Sequence, residues 1–142
     1  LSYWKADFMT ELTDAAIGEH IRYGATIPTV QTAVHLYPID GAVQRVGTTE
    51  TAFANRDVKF APVIAAFWDN PADNDARVSW VRDYAAALRP HSAPGGYINF
   101  MDRDDLPRVA ENYGPNYERL REVKAKYDPQ NVFHVNQNIA PA

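Results

Sequence analysis

Two hydrophobic periods alternate along this chain, and their succession constrains its fold more than any other feature. After Asp73, Trp80, Val81, Tyr84, Ala85 and Leu88 recur at one, four, five and eight residues, the broad apolar stripe of a helix that Pro90 ends. Between Val30 and Leu36 the period is two: Val30, Thr32, Val34 and Leu36 alternate with Gln31, Ala33 and His35, the pattern of a half-buried strand. Pro38-Ile39-Asp40-Gly41 supplies turn chemistry, and Ala42 to Val46 reads as the return strand. Val58 to Phe67 is apolar and strand-sized, fit for burial on both faces. Pro62 lacks a ladder donor, so an edge or bulge position is expected there.

The remaining elements follow from caps and breakers. Thr13 can cap a helix that runs to about Tyr23, with Leu12 stapled against Ile17, and with Ile17 and Ile21 buried four apart. Gly95-Gly96 leads into a short strand, Tyr97 to Met101. A helix from about Leu106 stops at Gly114, a residue suited to a left-handed cap. Asn116 caps the last helix, whose face is Leu120, Val123 and Tyr127 and which Pro129 ends. Asn131 to Ala142 has no regular pattern. The mixture of helices and strands with hairpin-like connections predicts an α+β fold, an antiparallel sheet with flanking helices.

Composition excludes several function classes. The chain has 142 residues, with 14 basic and 18 acidic side chains, a formal net charge of −4. Clustered Lys and Arg of the kind that bind phosphate backbones are missing, so nucleic acid is not an expected partner. No cysteine is present, which excludes a disulfide scaffold, a zinc–thiolate site and a cysteine nucleophile. The longest apolar run, Ala61 to Trp68, falls far short of the roughly 20 residues that span a bilayer, so no membrane partner is expected. The sequence opens at Leu1 without a secretory pattern, which fits a processed product or a stretch of a longer polypeptide.

Few residues suggest chemistry. His20, His35, His91 and His134 are too scattered for metal-ligand spacing, so no metal site is expected. Gly95-Gly96 precedes a strand-like segment instead of following one and fails as a dinucleotide loop. Ser2, Ser79 and Ser92 lack a nucleophile elbow. Two segments stand out. In Tyr97-Ile98-Asn99-Phe100-Met101, strand alternation would put Tyr97, Asn99 and Met101 on one face. A phenol and a carboxamide side by side suit a planar heteroaromatic or a carbonyl group. The plainer alternative is an ordinary sheet tyrosine and an asparagine paired with a nearby loop. The tail amides Asn136, Gln137 and Asn138 must be either solvated or satisfied by a polar partner.

Taken together, these segments resemble the C-terminal part of the berberine-bridge-enzyme-like FAD-linked oxidases, flavoproteins of the vanillyl-alcohol-oxidase type. The stretch from Gly114-Pro115-Asn116-Tyr117 through Tyr127-Asp128-Pro129-Gln130-Asn131 to Asn136-Gln137-Asn138-Ile139 is similar to the family's terminal signature. Tyr97-Ile98-Asn99-Phe100 resembles its Tyr-x-Asn-Tyr/Phe segment. Tyr3-Trp4-Lys5, Gly41-Ala42-Val43 and Thr51-Ala52-Phe53 with Arg56 resemble the substrate domain of bacterial members.

The resemblance implies a partial substrate-binding domain over residues 1–95 and the family's C-terminal segment over 96–142, with the FAD-binding domain outside these residues. It implies FAD as cofactor, with Asn99, Asn136, Gln137 and Asn138 toward it and Tyr97 as the catalytic candidate. A small alcohol, amine or sugar would be oxidised by hydride transfer to flavin, with oxygen as acceptor. The implied partners are that small-molecule substrate and the FAD-binding domain of the same protein. Many members carry a second tyrosine, a proposed base, where this chain has Phe100, which cannot take a proton. The alternative is a stand-alone α+β binding or dimerisation module without catalysis.

Overall fold

A computed structural model describes residues 1–142. Three strands, β1 (Ser2–Ala6), β2 (Ala33–Pro38) and β3 (Phe60–Phe67), form one sheet. Its order is β1-β3-β2, and both pairings are antiparallel. The helices are α1 (Asp14–Gly24), α2 (Asn74–Leu88), α3 (Val109–Tyr113) and α4 (Tyr117–Tyr127). The α+β expectation holds.

Strand β3 is central because its residues are apolar on both faces, and Ala61 to Ala66 are all buried. One face carries Ile64 and Ala66, which join Tyr3, Val81, Tyr84, Ala85 and Leu88 in the main core beneath α2. The other face is covered by the segments that build the site. Pro62 sits within the central strand, at neither the edge nor the bulge position expected of it. It lies just past the end of β1, where the Asp7 amide donates to its carbonyl at 3.2 Å and no return donor is needed. Two residues upstream, the Lys59 and Phe60 amides both donate to Met9 O, a two-on-one bulge that absorbs the irregularity.

Other expectations are corrected. Thr13 does cap α1, accepting from the Ala16 amide at 3.2 Å. The inward stripe of α1, however, is Ala16, which is buried, with half-buried His20 and Tyr23, one residue or more over from Ile17 and Ile21. Ile21 is 68% exposed. The Tyr23 ring stacks on Tyr84 at 4.5 Å and His20 Nδ1 meets Tyr84 Oη at 2.5 Å, so α2 selects the aromatic side. Val30 is fully exposed in a turn closed by the Thr32 amide on Thr29 O. Strand β2 starts at Ala33 and runs through Pro38, and its partner is β3. Ala42–Val46 is not a return strand: Val43–Arg45 is a 3₁₀ turn.

Residues 97–101 are not a strand either; Ile98–Phe100 is a 3₁₀ turn. Gly95, at φ +82°, packs against α3, and a Cβ on Gly96 would meet the Ala6 carbonyl at 2.6 Å. The glycine pair lets this turn press between β1 and α3, where no ladder partner is offered. The expected helix before Gly114 is two pieces, a 3₁₀ segment Arg103–Arg108 opened by an Asp102 capping box, then α3. Gly114, at φ +49°, ends α3 as expected. Helix α4 buries none of its residues, and Val123 and Tyr127 are exposed.

Candidate functional site

On the sheet face away from α2, the Ile98–Phe100 turn, the Arg103–Arg108 segment and the C-terminal tail enclose a groove of about 740 Å³. Trp4, Asn99, Phe100, Arg103, Asn136 and Gln137 are among its lining. Trp4 projects from β1, and its indole stacks on Phe100 with centroids 5.4 Å apart and planes 17° from parallel. Trp68 and Trp80 instead anchor their indole N–H groups on Asn74 and Thr26.

A half-buried ionic cluster holds the Arg103–Arg108 segment, with Lys5 and Asp105 buried and Asp104 and Arg82 exposed. Lys5 Nζ contacts Asp104 at 2.5 Å and Asp105 at 2.7 Å, and Arg82 reaches Asp104 at 3.1 Å. Tyr3 Oη also donates to Asp104. Burial alone would raise the Asp104 carboxyl. The Lys5 and Tyr3 hydrogen bonds, the Lys5 charge and Arg82 outweigh it and hold the group at about 2. Arg108 ties the same segment to Asp7 at 3.2 Å and to the Gly95 carbonyl at 2.5 Å. Asp7 itself is pushed up by burial, against the pull of Arg89 and Arg108. This cluster clamps residues 103–108 onto β1 and so sets the position of the groove wall.

The tail reaches the groove because Asp128 folds it back. Its carboxylate accepts from the Val132 amide at 2.7 Å, the Phe133 amide at 3.0 Å and Lys124 Nζ at 2.5 Å. Lys124 first, and the two amides with it, hold that carboxyl below the usual range. Asn131 and Asn136 take left-handed backbone, at φ 53° and 62°, which asparagine tolerates better than most residues. Gln137 Nε2 then donates to Met101 O at 2.8 Å and fastens the tail to the turn.

Asn99, Asn136 and Gln137 thus share one groove. Tyr97 faces a neighbouring cleft, but Asn99 Nδ2 donates to its hydroxyl at 3.1 Å, and the Phe100 ring lies between groove and cleft. The phenol and carboxamide therefore meet although the strand that was to align them is a turn. Asn138 is not part of the groove lining; its amide closes a tight turn on Asn136 O at 3.0 Å. Trp4 entered the sequence reading only as part of a family-like segment, with no role, and Arg103 did not enter it. The period-two alternation of β1 could have placed Trp4 opposite the core residue Tyr3, whereas nothing local marks Arg103.

Asn116 has an unforeseen task. Its amide does not cap α4 but donates to the carbonyls of Thr48 at 2.8 Å and Thr51 at 3.0 Å, holding the 39–57 loop. The groove thus sets a stacked aromatic pair beside three carboxamides and a guanidinium, an apolar face with polar groups at its edge.

Residues 96–140 match the family described as berberine and berberine like. An uncharacterized FAD-linked oxidoreductase of Bacillus subtilis, YvdP, is 40% identical over 102 residues, covering 72% of this chain and 23% of that protein. The aclacinomycin-N/aclacinomycin-A oxidase of Streptomyces galilaeus is 31% identical over 126 residues, covering 76% of this chain and 23% of its own length. A crystal structure of aclacinomycin oxidoreductase superposes with a TM-score of 0.87 at 27% identity, over 99% of this chain and 32% of that one. The chain therefore spans about a quarter to a third of the length of the relatives it matches. With its terminal segment and its fold both shared, the chain belongs to the berberine-bridge-enzyme-like family of FAD-linked oxidases and corresponds to their C-terminal part.

Proposed function

We propose that this chain is the substrate-facing and C-terminal part of an FAD-dependent oxidoreductase acting on a small alcohol, amine or sugar. Residues 1–95 form part of the substrate domain and 96–142 the segment that returns to the FAD-binding domain. One observation carries the reading: Asn99 lines the same groove as Asn136 and Gln137, more than 30 residues later, and Gln137 is fastened to the turn that bears Asn99. The domain that completes the protein would cover the exposed apolar surface of Tyr127, Phe133 and Val135.

Within this reading Asn99, Asn136 and Gln137 supply donors and acceptors along the edge of the flavin ring, and Asn138 holds the tail turn that presents Asn136. Tyr97, as its phenolate, takes the proton of the substrate hydroxyl or amine and becomes the phenol. Asn99 donates to the phenolic oxygen and fixes its direction, and Phe100 leaves Tyr97 as the phenol of this turn. FAD, when bound, accepts the two electrons from the substrate carbon, and oxygen is the acceptor that regenerates it. Trp4 and Phe100 exclude water from one side of the groove.

The test is the polypeptide as its source makes it. It should carry flavin, and Tyr97→Phe should keep that flavin while slowing its reduction by substrate about 100-fold or more, the usual scale of acid–base catalysis. A preparation without flavin, or Tyr97→Phe with undiminished turnover, contradicts the reading.

A further inference from the structure

The 39–57 loop and the Tyr97 turn enclose a second cleft, of about 580 Å³, that the flavin-facing groove does not use. Its walls are Phe8, Tyr37, Val43, Phe53, Tyr97 and Phe100. The rings form a continuous edge-to-face series: Phe53 to Phe8 at 5.9 Å, Phe8 to Tyr97 at 6.2 Å, and Tyr97 to Phe100 at 5.3 Å. Such walls stack on planar apolar ligands and offer little to hydroxyls.

The one charge in the cleft is already engaged. Arg56 donates to Phe53 O and Val43 O, both at 3.0 Å, and to Thr51 Oγ1 at 2.5 Å, while its guanidinium lies 4.9 Å from the Phe53 ring centroid. Gln44 bridges Ile39 O at 3.0 Å and Val58 O at 3.2 Å. The loop wall is therefore braced by side chains despite its irregular backbone, and its Arg56 and Gln44 donors already hold partners within the loop and at its edge. A polyhydroxylated ligand would leave several hydroxyls unpaired here, which is costly.

We infer that this cleft binds an apolar, aromatic portion of the substrate, with the reacting group at the lip formed by Tyr97 and Asn99. The reacting end rests on the flavoprotein reading above; the binding of the aromatic end does not. Phe100, which removes a second phenol from the turn, adds an apolar ring to both hollows and separates them. Substrate then spans the lip, with its carbon to be oxidised beside Tyr97 and its rings between Phe53 and Val43.

Equilibrium dialysis of the full polypeptide tests this with 2-naphthalenemethanol and glucose, ligands of similar size and opposite polarity. Naphthalenemethanol should bind at least about tenfold tighter, because its fused rings bury apolar area that glucose lacks. Val43→Trp, which fills the cleft from a partly exposed turn, should weaken naphthalenemethanol about tenfold and leave flavin absorbance unchanged. Phe53→Ala, which removes a wall, should weaken it in the same direction. Glucose binding as tightly as naphthalenemethanol, or both variants retaining wild-type affinity with native circular dichroism, overturns the inference. Failure of the flavoprotein reading shows separately, as a polypeptide without flavin absorbance that still takes up naphthalenemethanol and loses it in Val43→Trp.

Discussion

Asp104 is the residue whose charge the fold uses most directly. Its carboxyl is depressed, to about 2, so it stabilises the folded state above its unfolded value of about 3.9, and that contribution disappears as pH falls through about 2. Asp104→Asn should therefore lower stability at neutral pH by about 1–2 kcal/mol, since Lys5 keeps Asp105 and the site is partly exposed. The difference between variant and wild type should shrink between about pH 4 and pH 2, as read from denaturant midpoints. A pH-independent difference would mean that packing, and not charge, sets the effect. Asn116→Ala should cost about 2 kcal/mol by leaving the Thr48 and Thr51 carbonyls without a donor, and should loosen the loop that walls the aromatic cleft. At this scale the sequence was only half legible. Tyr97 and Asn99 stood out because a phenol beside a carboxamide is unusual chemistry, whereas Asn116 looked like a cap because its carbonyl partners lie more than 60 residues away.

The elements divide by how local their causes are. Helix α2, the Thr13 cap and the Gly114 stop were readable because each rests on neighbours in sequence. Residues 97–101 were misread because tyrosine, isoleucine and phenylalanine favour strands, while the deciding fact was tertiary: the Gly96 backbone lies against Ala6 O. Gly96→Ala should push this turn off β1 and destabilise the fold by about 1–3 kcal/mol, the range for overpacked sites. Helix α1 was assigned the wrong face by one position, because Tyr84 selects His20 and Tyr23 over the two isoleucines. The fold-back of the tail at Val132 and Phe133 depends on Asp128. Asp128→Ala should speed hydrogen exchange of the Val132 and Phe133 amides at least about tenfold while the β3 amides stay protected, as expected of local unfolding. Equal acceleration in β3 would show that the tail and sheet open together.

At the scale of the molecule, one sheet carries two functions on opposite faces. The α2 side holds the core that keeps β3 in place; the other side holds the groove and the aromatic cleft, separated by Phe100. The fold class was legible from the change of hydrophobic period, and the family from its terminal signature. The convergence of Asn99 with Asn136 and Gln137 was not, because no spacing in sequence records the Asp128 turn that brings them together. That convergence is the central claim, and the flavin's reduction potential in the full polypeptide tests it most directly. On the proposed placement of these amides along the ring edge, removing them changes the stabilisation of the reduced flavin, so Asn99→Ala and Gln137→Ala should each shift the potential from the wild-type value. The double variant should depart from the sum of the two, because the residues act on one groove. A potential identical to wild type in all three would place the groove away from the flavin and contradict the account.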